Sequence, residues 1–101
     1  MNYTENFEGI KLDVQAVDIN ITDDLQQAIR DSISKLKRYV SEVNWADVYF
    51  KYDANLATDN RTIGLRLGIP GTDVYASDSG EHWLPILKSI EEKLRRQLEK
   101  R

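Results

Sequence analysis

The sequence predicts an α+β fold, a two-layer sandwich of order β-α-β-β-β-α in which a four-stranded sheet carries both helices on one face. Three observations predict it. Apolar residues alternate with period two in four stretches, and they switch to a spacing of three to four in two others. Each of those two segments carries a single apolar stripe. A helix with one such stripe buries only one side, so both helices belong on the same face of a sheet.

The elements follow in order. Residues 1–9 (MNYTENFEG) are polar and acidic and read as a flexible N-terminal extension, leaving residues 10–101 as a single domain. Ile10, Leu12, Val14 and Ala16 alternate with Lys11, Asp13 and Gln15, the period of a half-buried strand. Thr22 is placed to accept from the free amides of a following helix, and Asp23 and Asp24 put negative charge at its positive end. Leu25, Ala28, Ile29, Ile33, Leu36 and Val40 then form one helical stripe, so the helix is expected over residues 23–40. Period two returns at 44–53, with Ala46, Val48, Phe50 and Tyr52 on one face, and again at Ile63, Leu65, Leu67 and Ile69, giving a hairpin. Pro70-Gly71 signals a type II turn into a third short strand over 73–78, with Val74 and Ala76 inward. Trp83, Leu87, Ile90, Leu94 and Leu98 mark a last helix from about His82 to the chain end. Pro85 confines its start, because proline fits only the first turn.

Composition bounds the function. With 41% hydrophobic and 31% charged residues over 101 positions, the chain is expected to form one globular domain. No apolar run approaches the roughly 20 residues a bilayer requires, and the N-terminus has no cationic start or apolar stretch, so a cytoplasmic protein without a membrane partner is expected. The absence of cysteine excludes disulfides, thiolate metal sites and a cysteine nucleophile. His82 is the only histidine, Ser77 and Ser79 have no base nearby in sequence, and Gly68, Gly71 and Gly80 follow no phosphate-loop spacing. No catalytic residue, metal site, cofactor or small-molecule substrate is therefore expected.

The net charge of -3 argues against a nucleic-acid partner, but its distribution argues the other way. Residues 23–40 and 82–101 hold ten of the 14 basic residues and six of the 17 acidic ones, a net of +4 that leaves -7 for the rest. The candidates are Lys35, Lys37, Arg38, Lys88, Lys93, Arg95, Arg96, Lys100 and Arg101. A plain solvated helix surface, with Glu92 pairing Arg96 four residues on, explains the same residues equally well. Arg95, Arg96, Lys100 and Arg101 gather around and beyond the last core position without a balancing acidic cluster, which favours a phosphate-facing surface. Trp45, Tyr49 and Tyr75 suit either stacking on bases or cross-strand packing on the outer sheet face, the simpler expectation. An aromatic outer face also fits a protein-interaction module, with weak homodimerisation as its mark.

Several stretches resemble one family. "NITDDL" (Asn20 to Leu25) opens the first helix, "KLKRYV" (Lys35 to Val40) closes it, and "VYASDSGEHW" (Val74 to Trp83) leads into the second. "EEKLRRQLEKR" (Glu91 to Arg101) ends the chain and is the most distinctive. In order and spacing these resemble the ribosome hibernation-promoting factors, also described as ribosome-associated inhibitors or sigma-54 modulation proteins. The resemblance implies a domain that binds the small ribosomal subunit in the channel of messenger and transfer RNA. There it would block initiation and store inactive ribosomes under stress or in stationary phase. Lys93, Arg96 and Lys100 match basic positions of the family's second helix, Lys35 one in its first, and Lys51 one on the second strand.

The chain departs from that pattern in places. The family's acidic-aromatic-Ala-Ala-Ile-Asp run is replaced by His82 to Lys88 (HWLPILK), and Ala54 stands near a commonly basic position. The sequence has neither the second domain of long members nor a long C-terminal tail, so a short form is expected.

Overall fold

The structure, a computed structural model, describes residues 1–101. Its strands are β1 (Tyr3–Phe7), β2 (Ile10–Gln15), β3 (Trp45–Tyr52), β4 (Arg61–Gly68) and β5 (Asp73–Gly80); its helices are α1 (Asp23–Leu36) and α2 (Trp83–Glu99). The sheet order is β1-β2-β3-β4-β5, with β2 and β3 parallel and every other pair antiparallel. Both helices pack on one face, as the single stripes require. Between the layers lies one core that includes Leu12, Ile29, Ile33, Leu65, Leu87, Ile90 and Leu94.

The sheet therefore has five strands, not the expected four, and the extra one comes from the supposed extension. Tyr3–Phe7 pair with β2 through a two-residue turn in which Glu8 and Gly9 take φ of 51° and 83°. Positive φ at both positions matches the twist of the paired strands. The strand hides from a hydrophobicity reading because Tyr3, Glu5 and Phe7 point to the helix side, and the middle one is a carboxylate. Glu5 is satisfied there by Arg30 of α1, whose Nε and Nη2 donate at 2.9 and 3.1 Å. That pair lifts the Arg30 guanidinium above its ordinary pKa. An inward-pointing charge on an edge strand also discourages pairing with another chain.

Element ends follow local chemistry. Thr22 Oγ1 accepts from the Leu25 amide at 3.3 Å, capping α1 as its position predicts. That helix stops at Leu36 rather than Val40; Lys37–Tyr39 form one 3₁₀ turn, and Val40 is extended at φ -139°. Tightening of a last turn in this way is common. Pro85 is the third residue of α2, and Gly71 takes φ 96° after Pro70. β5 runs two residues further than predicted. Asp78 near its end faces α2 and accepts from the Ser89 hydroxyl and from the Ser79 amide.

These bonds, Ser89 first, hold the Asp78 carboxyl below its ordinary value. A carboxyl depressed by folding stabilises the protein above its unfolded pKa, and that contribution is lost as pH falls through the folded one. Ser89→Ala is expected to raise the Asp78 pKa, read by NMR titration, and to shrink the loss of thermal stability on acidification.

On the outer face the aromatics pack across strands. The rings of Trp45 and Tyr49 lie over Gly68 and Gly64, their register partners, and the Tyr49 and Tyr75 hydroxyls share a 2.7 Å hydrogen bond. A Cβ at Gly64 would fall 2.1 Å from Tyr49 Cε1. Gly64→Ala is expected to cost about 1–3 kcal/mol in chemical denaturation by forcing that ring away.

Candidate nucleic-acid interface

The two helices run parallel. Their first turns line one groove, through Thr22, Asp24, Leu25, Trp83, Leu84 and Pro85, and their last turns line another, through Tyr39, Val40 and Leu98. Midway, the Ser32 hydroxyl donates to Glu91 at 2.7 Å. Parallel helices have aligned dipoles, so cations are favoured at one shared end and anions at the other.

The charges obey this. At the C-terminal end, residues 35–44, 69–72 and 95–101 with the Glu8-Gly9 turn hold seven basic residues and three acidic ones. At the opposite end, the connectors and first helical turns, residues 16–24, 53–60 and 81–85, hold six acidic residues and no Lys or Arg. The molecule is thus electrically polarised, a feature the total of -3 conceals.

The predicted cations divide by their partners. Lys35, Arg38 and Lys100 are exposed at the basic end with no ion pair within 4.0 Å. Arg96 is exposed and lies 3.4 Å from Glu92, while Lys37 lies 3.6 Å from Glu8. Arg101 donates to the Pro70 carbonyl at 3.0 Å. Lys93 sits further back on α2, 3.4 Å from Asp78. Spacings of three and four residues align Lys93, Arg96 and Lys100 along one flank of that helix.

Three expected members fit less well. Arg95 is not free: Glu92 and Glu99 grip it from both sides, raising its pKa and lowering that of Glu92. The expectation that the last turn lacks balancing acids is thereby corrected. Both acids stand at the three- and four-residue spacings that bring helix side chains together, so the pairing was readable in the sequence. Lys88 lies in the middle of the interhelical groove with Lys35, Asp31 and Glu91. Lys51 projects from the outer face of the sheet, opposite Thr62 and away from the helices. No group of three or more His, Asp or Glu side chains is placed to hold a metal ion, and no helix is long and apolar enough to cross a membrane.

Tyr39 joins the site without having been expected there. It is 41% exposed and stands between Arg38 and Val40 at the rim of the basic-end groove. An exposed ring among cations offers a stacking surface for a base. The only sequence signal for it is its place inside a run of cations, and helical periodicity singles out the buried positions instead.

Fold and charge together define a class of protein: a two-layer α+β domain with parallel helices and a cationic end compatible with phosphates. The particular family follows from comparison. The family described as sigma 54 modulation protein / S30EA ribosomal protein matches residues 12–101, and the chain belongs to it. Among solved structures, the chain is similar to the N-terminal domain of Protein Y from Thermus thermophilus. The TM-score is 0.76 at 16% identity, covering 91% of this chain and 97% of that one. It is also similar to a ribosomal subunit interface protein from Coxiella burnetii, with TM-score 0.69 at 16% identity over 88% and 93% of the two chains. No curated protein matches the chain significantly.

Proposed function

We propose that the basic end binds ribosomal RNA of the small subunit, in the channel used by messenger and transfer RNA. Occupation of that channel would inhibit translation and keep ribosomes inactive. The observation that carries this reading is the gathering of seven cations at the shared C-terminal end of two parallel helices, in a chain of this family. One of the structural relatives is a ribosomal subunit interface protein, which supports the same reading.

The mechanism is steric. Lys35, Arg38, Arg96 and Lys100 meet phosphates, Lys37, Lys93 and Arg101 surround them, and Tyr39 stacks on an unpaired base. Neutralising phosphates releases counterions, so affinity falls steeply with salt. Lys88 joins where RNA reaches into the interhelical groove. Arg95, held between Glu92 and Glu99, contributes little to phosphate contact. Lys51 lies too far round the sheet to share the same RNA strand. No bond is made or broken, so the reading requires neither cofactor nor catalytic group.

Co-sedimentation with purified small subunits tests the proposal: binding is expected at low salt and is lost as salt rises, whereas no binding at low salt would overturn it. Tyr39→Ala is expected to weaken binding by about tenfold, within the range of one base stack, while leaving the salt dependence unchanged.

A further inference from the structure

The acidic end carries a second surface with different chemistry. Between the first turns of α1 and α2 lies an open groove of about 400 Å³, with Leu25, Trp83, Leu84 and Pro85 forming its apolar wall. Leu84 is 48% exposed, although it stands in a regular helix where a polar residue would have cost nothing. Trp83 is fixed from behind by an edge contact with Phe50, ring centroids 5.3 Å apart. The groove is therefore held in shape before anything enters it.

Its rim is anionic. Asp24 lines the groove, Asp23 and Glu81 flank it in sequence, and all three are exposed without an ion pair. Asp18, Asp53 and Asp59 lie in connectors at the same end. Arg61 also lines the groove and is paired with no carboxylate, but its position is fixed by neutral partners. Its guanidinium lies 5.1 Å from the Tyr52 ring and 5.5 Å from the Trp83 ring, and it donates to the Glu81 carbonyl and to Asn60 Oδ1. No side chain caps α2, so the amides of Trp83 and Leu84 stay open to an acceptor such as a peptide carbonyl.

We propose that this groove docks a cationic peptide segment that inserts one apolar side chain against Leu84 and Pro85. The surrounding carboxylates would pair with its Lys and Arg residues. Charge complementarity selects this occupant. Phosphate is disfavoured by six acids in the connectors and first helical turns of this end, against Arg61 as the one Lys or Arg lining the groove, and a neutral apolar partner would leave the acidic rim unused. Lys- and Arg-rich arms are the usual equipment of proteins that sit on nucleic acid, so an RNA-bound neighbour is a natural source. The two ends of the molecule would then engage RNA and protein separately, although the groove proposal does not depend on the RNA reading.

The test is an NMR titration of the ¹⁵N-labelled full chain with a short synthetic peptide in which Lys and Arg flank a single Phe, without RNA or ribosomes. Shifts are expected at residues 22–25, 61 and 82–85. Leu84→Asp, and separately replacement of the peptide's Phe by Ala, are each expected to weaken binding by about tenfold or more. Both Leu84 and Asp24 are exposed, so Leu84→Asp and Asp24→Asn should remain folded, with Asp24→Asn lowering the unfolding temperature by no more than a few degrees through its lost interaction with the helix dipole. Asp24→Asn should weaken binding less than Leu84→Asp and should flatten its salt dependence. Shifts spread over all the acidic residues, equal affinity for the Phe-free peptide, or no binding would overturn the proposal. Concentration-dependent shifts at the groove without peptide, showing that a second copy fills it, would overturn it too.

Discussion

Reversing the three unpaired cations of the basic end, as Lys35→Glu, Arg38→Glu and Lys100→Glu together, is expected to lower small-subunit affinity at least about 100-fold at ~100 mM salt. The slope of log affinity against log salt should become shallower by roughly two to three. The magnitude follows from what the three residues lack: no internal carboxylate competes for them, so each is free to displace counterions from a phosphate. Truncation at Arg95 supplies the contrast. Its charge is already paired with Glu92 and Glu99, so Arg95→Ala is expected to lower affinity far less than the triple reversal. Filter binding or sedimentation over a salt series separates the two variants. Comparable losses from both would show that ion pairing within the protein does not decide which cations matter.

The largest effect on stability is expected from Leu94→Ala. Leu94 is fully buried on α2, within the core between helices and sheet. Truncating a buried leucine loses its transfer free energy and leaves a cavity, at a cost of about 2–5 kcal/mol. A domain of this size is stable by about 5–15 kcal/mol, so the variant should lose a large share of its stability in urea unfolding. Because the side chain carries no charge, the folded fraction should still bind with an unchanged salt slope. This pairing of variants keeps loss of fold distinct from loss of the interface.

Much of the fold was legible because burial imposes periodicity. Ile10 to Ala16, Ala46 to Phe50 and Ile63 to Leu67 alternate because one face of each strand meets the core, and the strands lie where that alternation puts them. β1 was not legible for a related reason: its inward Glu5 is satisfied by Arg30, 25 residues away in sequence, and a charge at a core-facing position breaks the pattern. The cationic end was legible, since cations crowd the C-terminal ends of both helices, but the opposing acidic end was not. Gathering the acids of three separate connectors at one pole requires the helices to be parallel, which the β2–β3 parallel pair and the two hairpins after it impose. Arg95 shows the opposite failure, since its partners stand within about one helical turn and only the Glu92–Arg96 pair was expected. Lys51 was carried by resemblance alone, and the topology sets it on the other side of the sheet.

Under the proposed function, the end where the helices finish is the end that meets ribosomal RNA. The chain has no cysteine, so single cysteines can be introduced without interference: Ser41→Cys at the basic end and Ala57→Cys at the acidic end, both at exposed positions. Each would carry a tethered iron chelate that generates hydroxyl radicals on the bound small subunit. Strong, localised cleavage of ribosomal RNA along the messenger and transfer RNA channel is expected from position 41, and little from position 57. Cleavage from 57 equal to or stronger than that from 41 would contradict the assignment of the basic end to RNA.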